Sequence, residues 1–290
     1  MTLFPLTEQV DDGTGLNVNP TVDFGFYTMS VGNHVFLDDD GDETLASTAN
    51  NGIWDPTNGE PSIANVAVTI YADPDTNGVP DGPAIRRDTT DADGYYMLQD
   101  LYEGKYLVHV DEGNWAPGAA LDTLISSSPD VDEADADANR DSVDNGLAAL
   151  IQPFAIYQAE GVYSSTFCLD AGDEPTGEAH LDPTDPDGGD GRPVDENANM
   201  SIDYGFVAPA KFGNLVWEDL NKDGIQDATE PLVSDIEETL FMYRPADGSW
   251  MMMGKDTTDA DGDYRFCYLP SNRQYYVQFE KTKLPTDYIF

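Results

Sequence analysis

Apolar and polar residues alternate with a period of two in several short stretches of the chain. The segments 66–71 and 106–110 are the clearest cases, and the first has Val, Val and Ile at every second position. Successive side chains of a strand point to opposite faces, so this period predicts half-buried β-strands. Turn dipeptides such as Asp93-Gly94 and Asp261-Gly262 separate the stretches, and no long segment keeps a helical period. The pattern predicts an all-β chain of the sandwich class.

The chain also repeats its own sequence at nearly constant spacing. Two short motifs return in similar form, and one heptapeptide, Asp-Thr-Thr-Asp-Ala-Asp-Gly, returns unchanged. Self-similarity at a fixed period is typical of tandem domains. The matching pairs are 23–26 with 203–206, 31–36 with 212–217, and 88–94 with 256–262.

The repeats divide the chain into three parts. Residues 1–28 are predicted to be the closing strand or strands of a preceding or neighbouring domain. Residues 29–208 would form a complete β-sandwich with acidic insertions, and residues 209–290 a second sandwich that lacks its closing strands. Two explanations stay open for why the chain starts with a closing strand and finishes with an incomplete sandwich. Either the first strand of one copy completes the last domain of the next copy, which builds a head-to-tail fibre, or the sequence is a piece of a longer chain.

The chain is strongly acidic. It contains 56 Asp and Glu residues against 13 Lys and Arg, a formal net charge of −43 at pH 7. Hydrophobic residues make up 40% of the chain, which is enough to build cores, so the acidity does not indicate disorder. This charge would repel nucleic acid and anionic membrane surfaces, and divalent cations are the natural partners.

The sequence gives no indication of a disulfide framework, a membrane-spanning helix or a signal peptide. Cys168 and Cys267 fall in different predicted domains, so no disulfide framework is implied. No run of about 18 apolar residues predicts a membrane span. Residues 1–5 lack the basic and apolar regions of a signal peptide, so either an export signal has been removed or the chain is an internal piece.

The segment 219–230 has the spacing of a twelve-residue EF-hand calcium loop. Side-chain oxygens occur at positions one, three, five and nine, glycine at six allows the sharp turn, and glutamate at twelve can bind the ion with both oxygens. A solvated Asx-rich turn is the alternative, but such a turn rarely has both this glycine and this glutamate. Because a strand-like run precedes it, we predict an EF-like loop on a β scaffold. The predicted ligands are Asp219, Asn221, Asp223, the carbonyl of Ile225, Asp227 and Glu230.

An insertion interrupts the first copy of this loop, so its ligands would come from two stretches. The candidates are Asp38, Asp40, Asn51, Asp55 and Glu60, and a set that uses Asp42 is an open alternative. A further cluster at 73–81 repeats the one-three-five-Gly-nine spacing without a closing glutamate, and it predicts a second site. Acidic runs at 135–144 and 182–190 are interpreted as solvated loops, and metal binding by each run is the less favoured alternative. The ligands of the second site would be Asp73, Asp75, Asn77 and Asp81.

Three motifs of this chain occur together in a known family of surface-protein domains. They are the run Gly-Asn-Leu-Val-Trp-Glu-Asp at 213–219 with the calcium loop after it, the segment 258–266, and the closing motif at 22–26. Together they resemble the B-type repeats of serine–aspartate repeat surface proteins (SdrD B-like domains), relatives of the collagen-adhesin B domains with a prealbumin-like immunoglobulin fold. The resemblance covers nearly the whole chain.

This resemblance implies tandem immunoglobulin-like β-sandwich domains with EF-hand-like calcium loops. It also implies calcium-stiffened rods, secreted to the cell surface, that hold an adhesive head away from the envelope or build an extracellular lattice. Neighbouring copies or domains of the same protein would be partners, together with a host or matrix ligand. Some collagen-adhesin-like domains carry a Lys–Asn isopeptide crosslink from the first strand. The only lysine of residues 29–208 is Lys105, beside a turn, so we predict no such crosslink there.

The residues give little support to catalysis. His34, His109 and His180 are widely spaced, with no Ser or Cys constellation around them. The predicted function is therefore a non-catalytic, calcium-stabilised structural repeat of an extracellular surface or filament protein.

An adhesin or carbohydrate-binding module is the alternative function. Trp54, Trp115 and Trp250 are candidate exposed platforms, whereas Trp217 lies in strand register and is predicted to be core. A contiguous exposed aromatic patch would distinguish a binding face from a purely structural rod.

Overall fold

The computed structural model describes residues 10–11, 17–18, 27–39, 50–127, 135–147, 154–177, 195–244, 248–271 and 273–280. Within them the regular structure consists of β-strands, one seven-residue α-helix and short 3₁₀ turns. Several sequence predictions lie outside the described residues: the closing motif at 22–26, Asp40, Asp42, His180 and the acidic run 182–190. Of residues 1–28, the structure describes an antiparallel pair, β1 (Val10–Asp11) and β2 (Asn17–Val18), together with residues 27–28.

Residues 29–207, called the first unit, contain eleven of the described strands. The first sheet has the order β5-β4-β7-β10-β9, with β11 also paired to β7, and the second has the order β12-β3-β13-β8, with β6 also paired to β3. Strands β12 and β13 run parallel to β3, and the other pairs are antiparallel. The bounds are β3 (Met29–Leu37), β4 (Ala67–Ala72), β5 (Arg86–Thr89), β6 (Tyr95–Leu101), β7 (Gly104–Val110), β8 (Ile125–Ser126), β9 (Gly146–Leu147), β10 (Val162–Ser164), β11 (Phe167–Leu169), β12 (Ala198–Asn199) and β13 (Tyr204–Val207).

Side chains from both sheets form one hydrophobic core, as in a β-sandwich. Val68 and Ile70 of β4 meet Val31 of β3 and Phe206 of β13 in this cluster. Tyr204 is fully buried, and its hydroxyl donates to the carbonyl of Val108 in the other sheet at 2.8 Å. The buried polar atom is thereby satisfied while the two sheets are joined.

Two sequence predictions about burial in the first unit are wrong. The alternation predicted for 106–110 does not hold, because every residue of this stretch of β7 is buried. Trp115 is fully buried rather than an exposed platform, and its Nε1 donates to the carbonyl of Leu124 at 2.9 Å. The ring packs 5.3 Å from that of Tyr157 on α1 (Phe154–Glu160), which lies in the segment 111–200, called the insertion. No helix among the described residues has the length and apolar character needed to cross a bilayer.

Residues 210–280, called the second unit, repeat part of this architecture. One sheet pairs β14 with β17, and the other has the order β16-β15-β18. A separate hydrophobic cluster, which includes Leu240, Met242 and Phe266, lies between them. In the first unit, β13 pairs with β3, and β10 and β11 pair with β7. Among the described residues of the second unit, no corresponding strand pairs with β14 or with the free edge of β18. The bounds are β14 (Ala210–Leu215), β15 (Glu237–Arg244), β16 (Ser249–Thr257), β17 (Asp263–Leu269) and β18 (Tyr275–Phe279).

The repeated heptapeptide is a structural turn in both units. In the first copy, Asp91 accepts from the N–H groups of Asp93 and Tyr95, and in the second copy Asp259 makes the equivalent bonds. The final glycine has a positive φ in both copies, and a Cβ at Gly94 would lie 2.7 Å from a backbone oxygen. Only glycine fits this close approach without strain. The Asp and the final Gly that the two heptapeptides share are therefore explained by the geometry of this turn, which joins strands of different sheets in both units.

The described residues include direct contacts between the two units. The rings of Phe154 and Tyr268 stack with centroids 4.4 Å apart. Asn50 donates through Nδ2 to the carbonyl of Ser271 at 2.8 Å, and Arg273 donates through Nη2 to the carbonyl of Asn50 at 2.7 Å. A stacked pair and two hydrogen bonds thus join the insertion and loop of the first unit to the second.

Candidate metal centres

The predicted EF-like loop of the second unit is closed by the carboxylates at its two ends. Asp219 accepts hydrogen bonds from the backbone N–H groups three, four and five residues later, at 2.6–3.2 Å. Glu230 is buried, and it accepts from the N–H groups of Leu220 at 2.9 Å and Asp227 at 3.0 Å. The first and twelfth positions therefore hold the loop in a ring, although no helix flanks it.

Asn221 lies inside this ring. Its Nδ2 donates to Asp223 Oδ2 at 3.1 Å and to Asp227 Oδ2 at 2.9 Å, so two carboxylates face one electropositive group. Gly224 has φ of +76°, the left-handed conformation expected at position six. The backbone N–H of Ile225 donates to Asp223, while the Ile225 side chain is exposed. The candidate metal ligands of this loop are all oxygen atoms, which suits a hard divalent cation.

The segment 73–81 brings three carboxylates to one point. One oxygen each of Asp73, Asp75 and Asp81 lies within 4.8 Å of the others. Ligand oxygens 2.3–2.6 Å from a calcium ion lie at most about 5 Å apart, so this group could hold such an ion. In the part of the chain that the structure describes, no other group of three Asp, Glu, His or Cys residues meets this spacing. Asn77 lies against the group, with its Nδ2 3.0 Å from Asp75 Oδ2.

Asp73 is buried and is fixed from two distant parts of the chain. The N–H groups of Asn77 and Gly78 donate to it at 3.2 and 3.0 Å, and the hydroxyl of Thr166 donates to its Oδ2. Burial by itself raises the pKa of Asp73, but the hydrogen bonds from Thr166, Gly78 and Asn77 outweigh it and hold the pKa below its usual value. The carboxylate is therefore charged at neutral pH and suited to bind a cation.

In the stretch 38–60, predicted as the first copy of the calcium loop, only some of the candidate ligands come together. Asp38 is fully buried and accepts from the N–H groups of Asn51 at 3.2 Å and Gly52 at 2.7 Å. Glu60 is also buried and accepts from the N–H of Asp55 at 2.6 Å, as Glu230 does from Asp227 in the second unit. The carboxylates at the two ends thus hold the loop in both units.

The two middle candidates of this stretch bind their own turns. The side-chain oxygen of Asn51 accepts from the N–H of Ile53 at 2.7 Å. The two carboxylate oxygens of Asp55 accept from Thr57 and from Asn58 at 2.6–3.0 Å. No three carboxylates converge within 4.8 Å among the described residues of this stretch, so the cluster at 73–81 is the better formed of the two candidate sites in the first unit.

Asp144 and Asp203 are neighbouring buried carboxylates that the sequence did not predict as ligands. Asp144 is fully buried and accepts from Ser127 Oγ and from the N–H of Gly146, both at 2.8 Å. Burial raises the pKa of Asp144 to about 7 and that of Asp38 to about 6, and burial also raises the pKa of Asp203 well above its usual value. The interpretation of 135–144 as a solvated loop is therefore wrong at Asp144. Asp203 occupies the same position of the repeated motif as Asp23, and this repetition could have indicated a structural role for the carboxylate.

The two described histidines are packed among aromatic rings. The His34 ring lies 4.0 Å from that of Trp54, and the His109 ring stacks on Tyr163 at 4.0 Å. Their Nε2 atoms lie 2.8 Å from Ser62 Oγ and from a backbone carbonyl, respectively. Core packing and these hydrogen bonds account for both side chains.

The sequence matches the SdrD B-like domain family over residues 29–152 and 210–290, which together are more than half of the chain. The chain belongs to the SdrD B-like domain family. The two matched stretches contain the candidate loops at 38–60, 73–81 and 219–230. The immunoglobulin-like β-sandwich class predicted from the resemblance is confirmed for this SdrD B-like chain by the family match and the all-β architecture.

Several surface proteins are similar to this SdrD B-like chain. Serine-aspartate repeat-containing protein F of Staphylococcus epidermidis is 30% identical over 91% of this chain and 11% of that protein. Serine-aspartate repeat-containing protein D of Staphylococcus aureus strain MW2 is 28% identical over 91% of this chain and 14% of that protein. The chain therefore spans a small part of these relatives. A shaft pilin of Lactobacillus rhamnosus GG aligns with 91% of this chain and 90% of its own chain, at 12% identity and a TM-score of 0.30.

Proposed function

We propose that the chain is a non-catalytic, calcium-stabilised structural segment of an extracellular surface or filament protein. The observation that carries this proposal is the convergence of oxygens from Asp73, Asp75 and Asp81 within 4.8 Å. The closed ring of the loop at 219–230 supports it. The relatives are named as repeat-containing proteins, which supports a repeated structural role.

Calcium is the cation that fits these donors and this charge. The candidate ligands are carboxylate, amide and carbonyl oxygens, which calcium prefers. A chain with a net charge of −43 repels itself when compact, and bound divalent cations offset that repulsion. Extracellular modules need affinities of only about 10⁻⁴ to 10⁻³ M. The candidate sites therefore suit a secreted protein at the cell surface, where it would act as a stalk, lattice or fibre.

The contact between the two units supports a role as a rigid stalk. Asn50, which bonds to Ser271 and Arg273 of the second unit, also donates its N–H to the carbonyl of Asp38 at 2.9 Å. A cation held by Asp38 would fix the loop that touches the second unit. In this proposal, calcium stiffens both the units and the junction between them.

Isothermal titration with calcium tests the proposal. The wild-type chain is expected to bind calcium at each candidate site, and Asp81→Asn and Asp219→Asn are each expected to weaken one site roughly tenfold, because ligand charge sets calcium affinity. Both substitutions conserve shape. The matched control is Asp93→Asn, an exposed carboxylate in the turn between β5 and β6, which is expected to leave the titration unchanged. No heat of binding in the wild type, or equal binding in all variants, would contradict the proposal.

We propose in addition that strand addition joins copies of the chain. In the first unit, β13 pairs in parallel with β3 and places Tyr204 opposite Val35 and Phe206 opposite Leu37. The motif at 23–26 matches 203–206, and the start of the second unit matches β3 in sequence. The far edge of β14 has no partner among the described residues. In this proposal the segment 22–26 of one copy pairs with this edge on another, because a paired edge removes unsatisfied backbone groups.

Deletion of residues 1–26 tests strand addition. The full chain is expected to form concentration-dependent head-to-tail assemblies in sedimentation velocity experiments with calcium present, and the deletion is expected to abolish them. Deletion of residues 1–9 alone is the matched control, because it keeps the motif at 22–26 and is expected to leave assembly intact. A monomeric wild type, or assembly that survives the longer deletion, would rule out this mode of association.

A further inference from the structure

The sheet of the second unit carries a continuous aromatic face. We define this aromatic face as Phe241, Tyr243, Trp250, Met252 and Tyr276. The strand register places Phe241 between Met252 and Tyr276, and Tyr243 opposite Trp250. The ring of Trp250 lies 5.2 Å from that of Tyr243 and 4.7 Å from that of Tyr276, and Phe241 stacks on Tyr276 at 4.8 Å. The four rings therefore touch one another across three strands.

The aromatic face lies on the side of the sheet away from the core. The alternate residues Leu240, Met242 and Val277 belong to the core cluster of the second unit. On the opposite side, Trp250 is 43% exposed and Met252 is 52% exposed. An antiparallel sheet with one solvated face normally carries polar residues there. A contiguous exposed apolar patch of this kind marks an interaction site.

The sandwich fold does not require this face. In the first unit, the same register places Tyr71 opposite Leu107, which is fully buried. Two residues further along the strand, the first unit has Asp73 and begins its acidic loop, whereas the second unit has Tyr243 and extends into the hairpin with Trp250. The extended aromatic hairpin is therefore a feature of the second unit, where it replaces a candidate metal loop.

The charges around the face indicate an uncharged partner. Glu237, on the same side of β15, is bound by Lys255 at 2.6 Å, so this pair neutralises itself. The five residues of the aromatic face carry no charge. A nucleic acid or an acidic glycan would meet the repulsion of a net charge of −43. A neutral ligand escapes this repulsion.

The shape and chemistry of the face favour an extended sugar polymer. The rings of Trp250 and Tyr276 meet edge to face at 72° on the three-stranded sheet, so their exposed faces point in different directions. An extended chain can lie across the sheet and contact both rings. Sugar rings present C–H faces that stack on aromatic rings, while their hydroxyls stay in water or bond to polar groups. The hydroxyls of Tyr243 and Tyr276 and the exposed amide of Gln278 supply such groups at the same side.

We propose that the aromatic face binds an uncharged polysaccharide by stacking of its sugar rings on Trp250 and Tyr276. The binding is independent of the candidate metal sites, because none of the five residues is a candidate ligand. It gives the segment an adhesive role in addition to its structural one.

Affinity electrophoresis in native gels that contain neutral polysaccharides tests this proposal. The probes are soluble β-glucan, hydroxyethyl cellulose and galactomannan, each with calcium present. At least one is expected to retard the wild-type chain. The double variant Trp250→Ala/Tyr276→Ala is expected to bind roughly tenfold or more weakly, because loss of central aromatic contacts dominates binding energy. Tyr102→Ala is the matched control: this tyrosine is 75% exposed on the first unit, and its removal is expected to change nothing.

A second readout separates binding from folding. Trp250→Phe keeps an aromatic ring and is expected to keep most of the retardation, while the polysaccharide-induced shift in tryptophan fluorescence disappears. Unchanged melting of each variant in calcium shows that the fold is intact. The proposal is overturned by no retardation with any neutral probe, by equal retardation of the double variant, by retention with polylysine alone, or by a self-association that Trp250→Ala abolishes.

Discussion

Removal of calcium with a chelator is expected to lower the melting temperature of the first unit by roughly 10–20 °C. An ion that binds only the folded state stabilises it by about 2.7 kcal/mol per site at one hundred times its dissociation constant. The first unit has two candidate sites, around Asp38 and around Asp73. A stability change of about 5 kcal/mol shifts the midpoint of a domain of this size by about 2–4 °C per kcal/mol. Differential scanning calorimetry with calcium and then with excess chelator measures the shift.

Magnesium and site variants are the controls for this calorimetry. Magnesium is smaller and loses its water reluctantly, so an equal concentration is expected to restore only a small part of the shift. Asp75→Asn/Asp81→Asn is expected to remove about half of the calcium effect on the first unit and none of the effect on the second. Identical melting with and without chelator would mean that the acidic loops are solvated turns, and the calcium part of the proposed function would fail.

Replacement of Glu238 by valine is expected to stabilise the second unit by about 1–3 kcal/mol at pH 8. Glu238 is fully buried, and neither carboxylate oxygen has a hydrogen-bond partner within the described ranges. It lies opposite Asp256 on the neighbouring strand, and at the same register the first unit has Val68 opposite Asp88. A buried carboxylate without a partner costs free energy, which an apolar residue does not. The gain in the free energy of unfolding is measured by urea denaturation, from the transition that belongs to the second unit.

The same residue predicts a pH dependence with a definite sign. Burial, assisted by the charge of Asp256, raises the pKa of Glu238 from 4.5 to about 7. The folded state therefore holds a proton that the unfolded state releases, and stability falls as pH rises between about 4.5 and 7. Glu238→Gln is expected to remove this part of the slope, whereas the exposed control Asp261→Asn keeps it. Parallel pH profiles for wild type and Glu238→Gln would contradict the explanation.

Local spacing determined much of what the sequence alone predicted. The EF-like loop at 219–230 could be predicted because its candidate ligands lie within twelve residues, and its ligand set stays a prediction. The cluster at 73–81 was readable for the same reason, and the structure brings three of its four predicted ligands within metal-binding distance. The period of two and the turn dipeptides predicted the sandwich class, because alternation and tight turns are properties of neighbouring residues.

The tertiary structure decided which faces are buried and which distant groups meet. The hydroxyl of Thr166 on Asp73, the burial of Asp144 beside Ser127, and the fully enclosed Trp115 all depend on how the insertion folds back over the first unit. The alternation at 241–243 and 250–252 shows that one face is aromatic, but only the packing of the other face on β14 and β17 leaves it in solvent. Such contacts join residues far apart in sequence. Their formation depends on the arrangement of whole sheets, which no local pattern specifies.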